Sequence, residues 1–538
     1  MTRKLLVANR GEIALRVFRA CRTLDIATVA VVAPDDSGAL HARAADESVE
    51  IASYLASEEH IRAAKHTGAD AIHPGYGFLA ENADFAEAVG AAGLTWVGPS
   101  PEALRAGGDK IAAKEIAQSA GVPVVPTGDP GDIGFPLVVK AAAGGGGRGM
   151  RVVRSADDLD DALDAARREA QAAFGDGRVF CERYVERPRH VEIQLLGTGE
   201  RVLALGERDC SVQRRHQKVL EESPSPAVDA ALRAEMSAAA VRFAEAIGYV
   251  NAGTAEFMLD DGHDFYFLEL NGRIQVEHPV TELVTGVDLV RAQIEIAQGD
   301  TVDVGSVEQH GHAVEARLYA EDPRTFLPQT GQITRLRLPE EIRVDAGVEE
   351  GDTIGIAYDP MIAKLIAHGR DRDEALRRLQ DALADTVVEG VTTNLPFLRW
   401  LVAHPVVRTG QATTAFLTEH PPLSPASLRT PDAPWRAPFR LNLPAPPPAP
   451  APDVDVAATD SRGAGAEQRE LTAPMPGTVI KVLVAAGEAV QARQPLVVLE
   501  AMKMETPLTS PYEATVRAVH VAEGDRVAGG AVLVELED

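Results

Sequence analysis

A lysine at the end of an apolar segment is followed closely by a run of glycines. Lys140 ends PLVVK, and the next segment, AAAGGGGRGM, contains Gly144, Gly145, Gly146, Gly147 and Gly149. Consecutive glycines let backbone N–H groups approach phosphate oxygens closely, so this segment predicts an anion-binding loop. It is not a phosphate loop of the G-K-[ST] type. The apolar stretch MRVVR after it favours a strand–loop–strand lid over an unstructured loop.

Two acidic residues lie in apolar segments that are predicted to be strands. Glu256 stands in AGTAEFMLD, and Glu269 stands in FYFLELNGR with Asn271 two positions later. Side chains two positions apart point to one face of a strand, so Glu269 and Asn271 should share a face. Because the neighbouring residues are apolar, the acids should be half-buried and need a partner. Mg²⁺ takes oxygen ligands and nucleotide phosphates, so this set predicts a magnesium site.

The last part of the chain is an internal repeat with a lysine between its two halves. Residues 477–500 realign with residues 514–537, and eleven of the aligned residues are identical. Two equivalent β units predict a flattened sandwich with pseudo-two-fold symmetry. The segment AMKMET between the units predicts a hairpin tip, with Lys503 flanked by Met502 and Met504. A lysine at a protruding tip is suited to carry a covalently attached group.

A segment rich in Pro and Ala separates this repeat from the rest of the chain. Residues 444–468 read PAPPPAPAPDVDVAATDSRGAGAEQ, which has too few apolar residues to build a core. It predicts a semi-extended, mobile tether, which gives a carried group a high effective concentration at each of two sites.

Near the N-terminus, three segments follow in strand–helix–strand order: KLLVA, EIALRVFRACRTL and ATVAVVA. This order predicts a doubly wound unit.

Composition excludes several classes of function. The 538 residues are too many for one core, and at roughly 150 residues per domain they predict three or four domains. The formal net charge of −27 argues against a nucleic-acid partner and against an anionic membrane surface. No apolar run predicts a transmembrane helix, and the opening MTRKLLVANRGEIA lacks the apolar core of a signal peptide. Three widely spaced cysteines fit buried thiols in a reducing compartment, so we expect the cytoplasm.

Seven segments in a fixed order carry a resemblance to a known family: LLVANRGEIA, AIHPGYGFLAEN, AGGDK, KAAAGGGGRGM, RHVEIQ, ERDCSVQRRHQKVLEE and ELNGRIQVEHPVTE. Together they resemble the biotin carboxylase family of ATP-grasp enzymes over nearly all of residues 2–420. AMKM, preceded by APMPG, resembles the biotinyl domain of biotin-dependent carboxylases over residues 472–538. A lipoyl domain has the same fold but usually carries an acidic residue before the lysine, where this chain has Met502.

The resemblance implies an α/β chain of four domains and a linker. These are an N-terminal doubly wound pre-ATP-grasp domain (1–112), an ATP-grasp domain (113–310) with its lid over 130–200, a C-terminal α+β carboxylase domain (311–420), a Pro/Ala-rich linker (421–470) and an all-β biotinyl domain (471–538). Some acyl-CoA carboxylase α subunits dock their partner through a barrel domain at the place that the linker fills here. No carboxyltransferase domain is present in the sequence, so the second half-reaction is expected on another chain.

By the same resemblance, one set of residues binds ATP and its metal. Lys110 and Lys140 hold the phosphates, and the glycine loop 144–149 closes over them. The other implied nucleotide contacts are Glu182, Arg183, Tyr184 and Val185 around the adenine, together with His190, Gln213 and His216. Glu256 and Glu269 bind Mg²⁺ or Mn²⁺, with Asn271 beside them.

A second implied set handles bicarbonate and biotin. The anion is held by Lys218, Arg273, Gln275 and the amide of Val276. Glu277 is the general base that deprotonates bicarbonate, which then attacks the γ-phosphate of ATP, and the resulting carboxyphosphate yields CO2. Arg343, in EEIRVDAGV, stabilises the biotin enolate that captures CO2. The chain departs from the family pattern at Gly272, where many relatives have Thr, and at Ala357, where a tyrosine is usual.

The implied function is ATP- and bicarbonate-dependent carboxylation of biotin held covalently on Lys503. It would be the first half-reaction of an acyl-CoA carboxylase acting on acetyl-CoA or propionyl-CoA. The implied partners are a separate carboxyltransferase β subunit with its acyl-CoA, a biotin protein ligase, and further copies of the chain in a homo-oligomer.

Three other interpretations stay open at this point. The chain could be the biotin carboxylase subunit of a pyruvate- or urea-directed carboxylase, because the acceptor is chosen by another chain. An ATP-grasp ligase that joins a carboxylate to an amine would share the phosphate loop and the metal acids but has no use for Lys503. A pure biotin carrier or scaffold would not need Glu256, Glu269, Arg273 and Glu277.

Overall fold

The computed structural model describes residues 2–142, 150–174, 176–214, 217–302, 304, 307–422, 470–474, 477–501, 504–527 and 529–537. The chain begins with an open parallel sheet of five strands and the helices between them. The strands are β1 (Lys4–Val7), β2 (Ala27–Val32), β3 (Glu47–Glu50), β4 (Ala71–His73) and β5 (Thr95–Trp96). The helices are α1 (Gly11–Thr23), α2 (Leu40–Ala44), α3 (Ser57–Thr67), α4 (Ala83–Ala91) and α5 (Pro101–Gly108), with a short 3₁₀ helix at Pro34–Asp36.

The strand order β3-β2-β1-β4-β5 confirms the predicted doubly wound unit. Helix α1 packs on this sheet because Ile13, Val17 and Cys21 recur every fourth residue and are buried. The order reverses between β1 and β4, and ligands of open α/β sheets collect at such a point. The two turns that follow these strands are joined there, because Asn9 Nδ2 donates to the carbonyls of Pro74 (2.8 Å) and Tyr76 (2.7 Å).

A small antiparallel sheet follows and is covered on one face by a helix. Its elements are α6 (Lys110–Ser119), α7 (Pro130–Ile133), β6 (Leu137–Ala141), β7 (Arg151–Val153), α8 (Leu159–Phe174) and β8 (Val179–Arg183), with a 3₁₀ helix at Ala156–Asp158. The strand order is β7-β6-β8. Leu137, Val139 and Val153 form its small apolar core with α8. The strands predicted on both sides of the glycine loop are therefore present, as β6 and β7.

A large sheet forms the centre of the molecule. The next elements are β9 (Arg189–Gly197), β10 (Val202–Arg214), β11 (Gln217–Ser223), α9 (Ala230–Ala246), β12 (Asn251–Leu259), β13 (Phe265–Asn271), α10 (His278–Thr285) and α11 (Leu289–Ala297). After them come β14 (His312–Tyr319), β15 (Gly331–Gln332), β16 (Arg335–Arg337), β17 (Arg343–Ala346), β18 (Thr353–Ile354), β19 (Met361–Gly369), α12 (Arg372–Asp385), β20 (Val387–Glu389), α13 (Leu395–Ala403), α14 (Pro405–Arg408) and α15 (Phe416–Glu419).

The central sheet has the order β13-β12-β9-β10-β11-β14-β19-β17. Its last three strands come from the part of the chain that sequence analysis assigned to a separate C-terminal domain. β11 and β14 are hydrogen-bonded neighbours, so the sheet is continuous across that division. Side chains on β11 can therefore meet side chains on β14 within one sheet.

The C-terminal module is a pair of four-stranded sheets. Its strands are β21 (Glu470–Thr472), β22 (Gly477–Val482), β23 (Ala489–Val490), β24 (Pro495–Ala501), β25 (Met504–Thr509), β26 (Ala514–Val519), β27 (Arg526–Val527) and β28 (Val532–Glu537). The sheet orders are β21-β28-β26-β23 and β25-β24-β22-β27. The strands β22, β23 and β24 of the first repeat unit recur as β26, β27 and β28 of the second. The predicted flattened sandwich with internal symmetry is confirmed.

Among the described residues, no helix is both long and apolar enough to cross a membrane. The predicted tether, residues 444–468, lies outside those residues.

Candidate active site

The centre of the site is Lys218 on β11, whose side chain is 13% exposed. The ammonium of Lys218 lies 2.5 Å from Glu192 Oε2, 2.9 Å from Glu256 Oε1 and 2.7 Å from Glu277 Oε1. Burial by itself would lower the pKa of this amine, but the three carboxylates hold it well above its ordinary value. Lys218 is therefore a fixed positive charge. Sequence analysis singled out three of these four residues and missed Glu192, which stands in the conspicuous segment RHVEIQ.

Glu277 lies directly before α10, and each of its carboxylate oxygens contacts a cation. Oε1 faces Lys218, and Oε2 accepts a hydrogen bond from Arg317 Nη2 at 3.0 Å. Burial by itself would raise the pKa of Glu277, but Lys218, Arg317 and Arg208 together hold it well below its ordinary value. The carboxylate is thus ionised, which is the state that a general base needs before it accepts a proton. Sequence analysis did not identify Arg317, which comes from the distant strand β14.

Arg273, just after β13, spreads its guanidinium over three oxygen atoms. Nε lies 2.9 Å from Glu81 Oε2, Nη1 donates to Gln275 Oε1 at 2.7 Å, and Nη2 donates to Asn271 Oδ1 at 2.8 Å. Glu81 belongs to the N-terminal sheet domain and also accepts from the N–H of Gly272 at 3.1 Å. The first domain thereby orients the arginine that sequence analysis assigned to bicarbonate. Glu81 was missed, although it stands in the segment GFLAEN.

The predicted magnesium residues lie on neighbouring strands. Glu256 on β12 and Glu269 on β13 are direct antiparallel partners. Asn271 Nδ2 donates to Glu256 Oε1 at 2.8 Å, and Lys110 Nζ lies 3.4 Å from Glu269 Oε2. Two opposed carboxylates with an amide beside them offer the oxygen atoms that Mg²⁺ takes as ligands. The residues present therefore fit the ion.

Two further groups of side chains have closely spaced ligand atoms. The first group is His190, Glu192 and Glu256, and the second is Glu192, Cys210 and Glu277. Within each group the possible ligand atoms lie within 4.8 Å of one another. Both groups surround the Lys218 ammonium, which contacts their carboxylates. The lysine already supplies the positive charge that a metal would bring, so neither group calls for an ion.

Lys140, which sequence analysis assigned to the phosphates, and Lys114 converge on one buried acid, whereas the other assigned lysine, Lys110, lies beside Glu269. Lys140 Nζ lies 2.5 Å from Glu182 Oε2, and Lys114 Nζ is in close contact with Glu182 Oε1. Burial lowers the pKa of Lys140 to about 8 and that of Lys114 to about 6, and repulsion from neighbouring lysines adds to both shifts. A site whose cations repel one another is stabilised by an anion. Lys114 was not predicted, although it follows Lys110 by one helical turn.

The remaining nucleotide residues stand at two places. Gln213 Nε2 lies 3.1 Å from His190 Nδ1, and His190 Nε2 lies 2.9 Å from Glu256 Oε2, so both residues border the carboxylate cluster. Arg183, Tyr184 and Val185 line a cavity of about 540 Å³ after the end of β8.

Arg343 on β17 stands apart from the bicarbonate residues. Its guanidinium lies 2.7 Å from Glu282 Oε2 and 2.9 Å from Asp345 Oδ2. Asp345 lies 3.9 Å from the ammonium of Lys364, which in turn donates to the carbonyl of Val276 at 2.8 Å. A chain of buried charges therefore links Arg343 to the peptide beside Glu277.

A second cavity, of about 480 Å³, has walls from both ends of the chain. One wall includes Tyr76, Val276 and Arg317, and the other includes Glu500 and Arg526 of the C-terminal module. Ala501 and Met504 are antiparallel partners at the ends of β24 and β25, and Lys503 falls in the chain between them.

Some of the predicted site residues lie outside the part of the chain that the structure describes. They are Gly144, Gly145, Gly146, Gly147, Gly149, His216 and Lys503.

Four family models match successive parts of the chain. They are the N-terminal domain of biotin carboxylase (residues 1–104), the ATP-binding domain of the carbamoyl-phosphate synthase L chain (109–304), the C-terminal domain of biotin carboxylase (315–419) and the biotin-requiring enzyme domain (469–536). The fold, the charge cluster and these matches define a biotin carboxylase joined to a biotinyl carrier.

Individual relatives agree with this class. A biotin carboxylase of Halalkalibacterium halodurans is 47% identical, over 78% of this chain and 98% of its own length. The biotin-dependent acyl-coenzyme A carboxylase alpha3 subunit of Mycobacterium leprae is 40% identical, over 99% of this chain and 98% of its own. The chain belongs to the family of biotin-dependent acyl-coenzyme A carboxylase α subunits.

One similar solved structure was determined with nucleotide and bicarbonate bound. The biotin carboxylase domain of the 2-oxoglutarate carboxylase of Hydrogenobacter thermophilus, in complex with MgADP, ADP and bicarbonate, is 42% identical with a TM-score of 0.76. The match covers 78% of this chain and 98% of that one.

Proposed function

We propose that this chain uses ATP and bicarbonate to carboxylate biotin on its own Lys503. It then presents the carboxylated carrier to a separate carboxyltransferase β subunit that acts on acetyl-CoA or propionyl-CoA. The observation that carries the proposal is the contact of Lys218 with Glu277 and Glu256. It joins the bicarbonate residues to the metal carboxylates in one buried cluster, in a chain that also has a biotinyl domain.

Each residue of the cluster has a role that follows from its charge and contacts. Arg273, Gln275 and the amide of Val276 would hold the bicarbonate, with Lys218 supplying the central positive charge. Glu277 accepts the bicarbonate proton, and Arg317 and Lys218 keep its carboxylate fixed in the meantime. Arg343, held by Glu282 and Asp345, would bind the ureido group of biotin, which supplies the acceptor nitrogen when it is bound.

The nucleotide residues neutralise phosphate charge. Lys110, Lys114 and Lys140 would contact the phosphates of ATP, and their mutual repulsion is relieved when those anions bind. Glu256 and Glu269, with Asn271 beside them, would hold Mg²⁺ or Mn²⁺, which neutralises phosphate charge when it is bound. The glycine loop 144–149 is assigned to the same phosphates by its sequence.

The direct test measures transfer of labelled bicarbonate to protein-bound biotin in the full-length biotinylated chain. We expect ATP-dependent labelling of the wild type, and its loss in Arg273→Ala and in Glu277→Gln. Arg291→Ala, which changes an exposed residue on α11, is the matched control and should label like the wild type. Full labelling of either site variant would contradict the assignments.

The acceptor is tested by isolating the native complex through its biotin. We expect a carboxyltransferase to co-elute and to carboxylate acetyl-CoA or propionyl-CoA with ATP and bicarbonate. If pyruvate or urea were consumed instead, the carboxylase assignment would stand and the acyl-CoA assignment would be wrong. Lys503→Arg should not be retained on the matrix, and its retention would remove Lys503 as the biotin site.

A further inference from the structure

Two buried glutamates face each other behind the proposed base. Glu221 on β11 and Glu315 on β14 are direct partners in the antiparallel pairing of these strands. Both residues are fully buried. Residues directly opposite each other in antiparallel strands have side chains in contact range. The fold therefore holds two carboxyl groups together, away from water.

The two carboxyl groups do not have enough donors for two negative charges. Among the described residues, neither oxygen of Glu315 has a hydrogen-bond donor. Glu221 Oε1 is in close contact with Arg317 Nη2, outside hydrogen-bond geometry. One guanidinium thus faces two carboxyl groups, and a buried carboxylate without a partner is strongly unfavourable. Two adjacent carboxyl groups in such a place cannot both ionise.

The other charged groups around the pair already have partners. Lys364 of β19 lies beside Glu315 but donates to the carbonyl of Val276 and stands 3.3 Å from Glu12 Oε2. Lys218 is shared by three carboxylates of its own. The charged or titratable groups around the pair are Arg317 of β14 with Tyr319 beside it, Lys364 of β19, Lys218 of β11, Cys210 of β10, Glu277 before α10, and Glu12 of α1 with Asp345 of β17 around Lys364.

The directions in which the pKa values of the two glutamates shift agree with the geometry. Burial raises the pKa of Glu315 well above its ordinary value, and Glu221 adds to the rise although Lys364 opposes it. Burial also raises the pKa of Glu221, against the opposing effect of Arg317. The proton therefore belongs on the side of Glu315.

We propose that Glu221 and Glu315 share a single proton, and that the one negative charge left on the pair holds Arg317 between Glu221 and Glu277. Arg317 Nη2 reaches both carboxylates, with 3.0 Å to Glu277 Oε2. Glu221 and Glu315 are thus positioning residues that act on the base through Arg317. The inference rests on the proposed function only in taking Glu277 as the base.

The arrangement controls how strongly Glu277 binds a proton. If Glu221 carried no charge, the positive charge of Arg317 would act on Glu277 alone. The pKa of Glu277 would then be lower still. A base that binds its proton too weakly is a poor acceptor. The charge on the pair therefore keeps Glu277 able to take the bicarbonate proton.

The first test detects the proton without measuring activity. Infrared difference spectra of the full-length protein, wild type minus Glu315→Gln, should show the carbonyl band of a protonated carboxylic acid at neutral and mildly alkaline pH. The same difference with Glu221→Gln should lack the band, because Glu315 keeps its proton there. Absence of the band from the Glu315→Gln difference would overturn the proposal. This result stands whether or not the chain carboxylates biotin.

The second test compares the same chemical change on the two facing residues. Glu221→Gln should move the acid limb of the pH profile of kcat/KM for bicarbonate about one unit to lower pH, as expected for loss of one nearby charge. Glu315→Gln replaces a neutral group by a neutral group and should leave that limb in place. Equal shifts in both variants, or none in Glu221→Gln, would overturn the proposal. If Glu315→Gln does not fold, the infrared difference between wild type and Glu315→Asp decides the matter. The shorter acid should keep the proton and shift the frequency of the carbonyl band, and a difference spectrum without such a band would overturn the proposal.

Discussion

The bicarbonate side and the nucleotide side of the site treat charge in opposite ways. On the bicarbonate side, Lys218 is surrounded by three carboxylates and keeps a raised pKa. On the nucleotide side, Lys114 and Lys140 share one acid, Glu182, and both have lowered pKa values. On the bicarbonate side, the protein's own carboxylates balance the positive charge of Lys218. On the nucleotide side, the positive charge of the lysines is balanced fully only when an anion binds. We infer that the bicarbonate side is preorganised and that the nucleotide side gains most from ligand binding.

The largest expected effect is on catalysis at the preorganised side. Glu277→Gln keeps the shape of the base but cannot accept a proton, so the rate of biotin carboxylation should fall about thousandfold. Labelled-bicarbonate transfer measures this rate, and circular dichroism checks that the variant is folded. Glu295→Gln, which changes a half-buried glutamate paired with Arg291 on α11, is the control. A loss of less than tenfold would show that another group takes the proton.

The next effect separates the two sides by stability. Lys218→Met removes the cation that three buried carboxylates share. Each carboxylate keeps another ion-pair partner, which is Arg208, Arg317 or His190. The loss of Lys218 should lower the thermal unfolding midpoint by on the order of 10 °C. Lys140→Met removes a cation that burial already disfavours, so its midpoint should change much less. Differential scanning calorimetry of both variants measures the contrast. If Lys218→Met and Lys140→Met lowered the unfolding midpoint equally, the two sides would not differ in how the protein balances their charge.

A smaller effect concerns the lysine that sequence analysis missed. Lys114→Met should raise KM for ATP about tenfold, as expected for the loss of one charged contact to phosphate. Lys65→Met, at an exposed position on α3, should leave KM unchanged. Steady-state ATP hydrolysis with biotin and bicarbonate measures both values. An unchanged KM in Lys114→Met would mean that this lysine serves only Glu182.

The smallest effect is a proton taken up with the nucleotide. In the free protein the pKa of Lys140 is lowered to about 8, and bound phosphates should raise it. The complex then holds more protons than the free protein, so affinity for ADP should fall as the pH rises above about 8. Calorimetric titration in buffers of different ionisation enthalpy counts the protons. Lys140→Met should lose only the additional uptake that appears as the pH rises towards about 8 and above, because Lys114, whose pKa is lowered to about 6, takes up its own proton from lower pH. Proton release in the wild type would contradict the assignment.

Patterns that are local in sequence predicted much of the molecule. Apolar segments predicted the two strands that carry Glu256 and Glu269, and in the fold these residues are direct partners. The repeat predicted the two equivalent halves of the carrier, in which β22 and β26 are equivalent strands. Both predictions depend on residues close in the chain, where the period of a strand or the length of a repeat fixes the relation.

The tertiary structure alone decided which charges meet. Arg273 and Glu81 are 192 positions apart, and Arg317 and Glu277 are 40 apart. Ion pairs over such separations follow from strand order and domain packing, which no local period encodes. For the same reason the sequence could name Glu277 as a base but could not predict Arg317 or the facing pair of Glu221 and Glu315. The sequence determined the chemical groups and the family, and the fold decided how each group is charged, because burial and neighbouring charges set the protonation state.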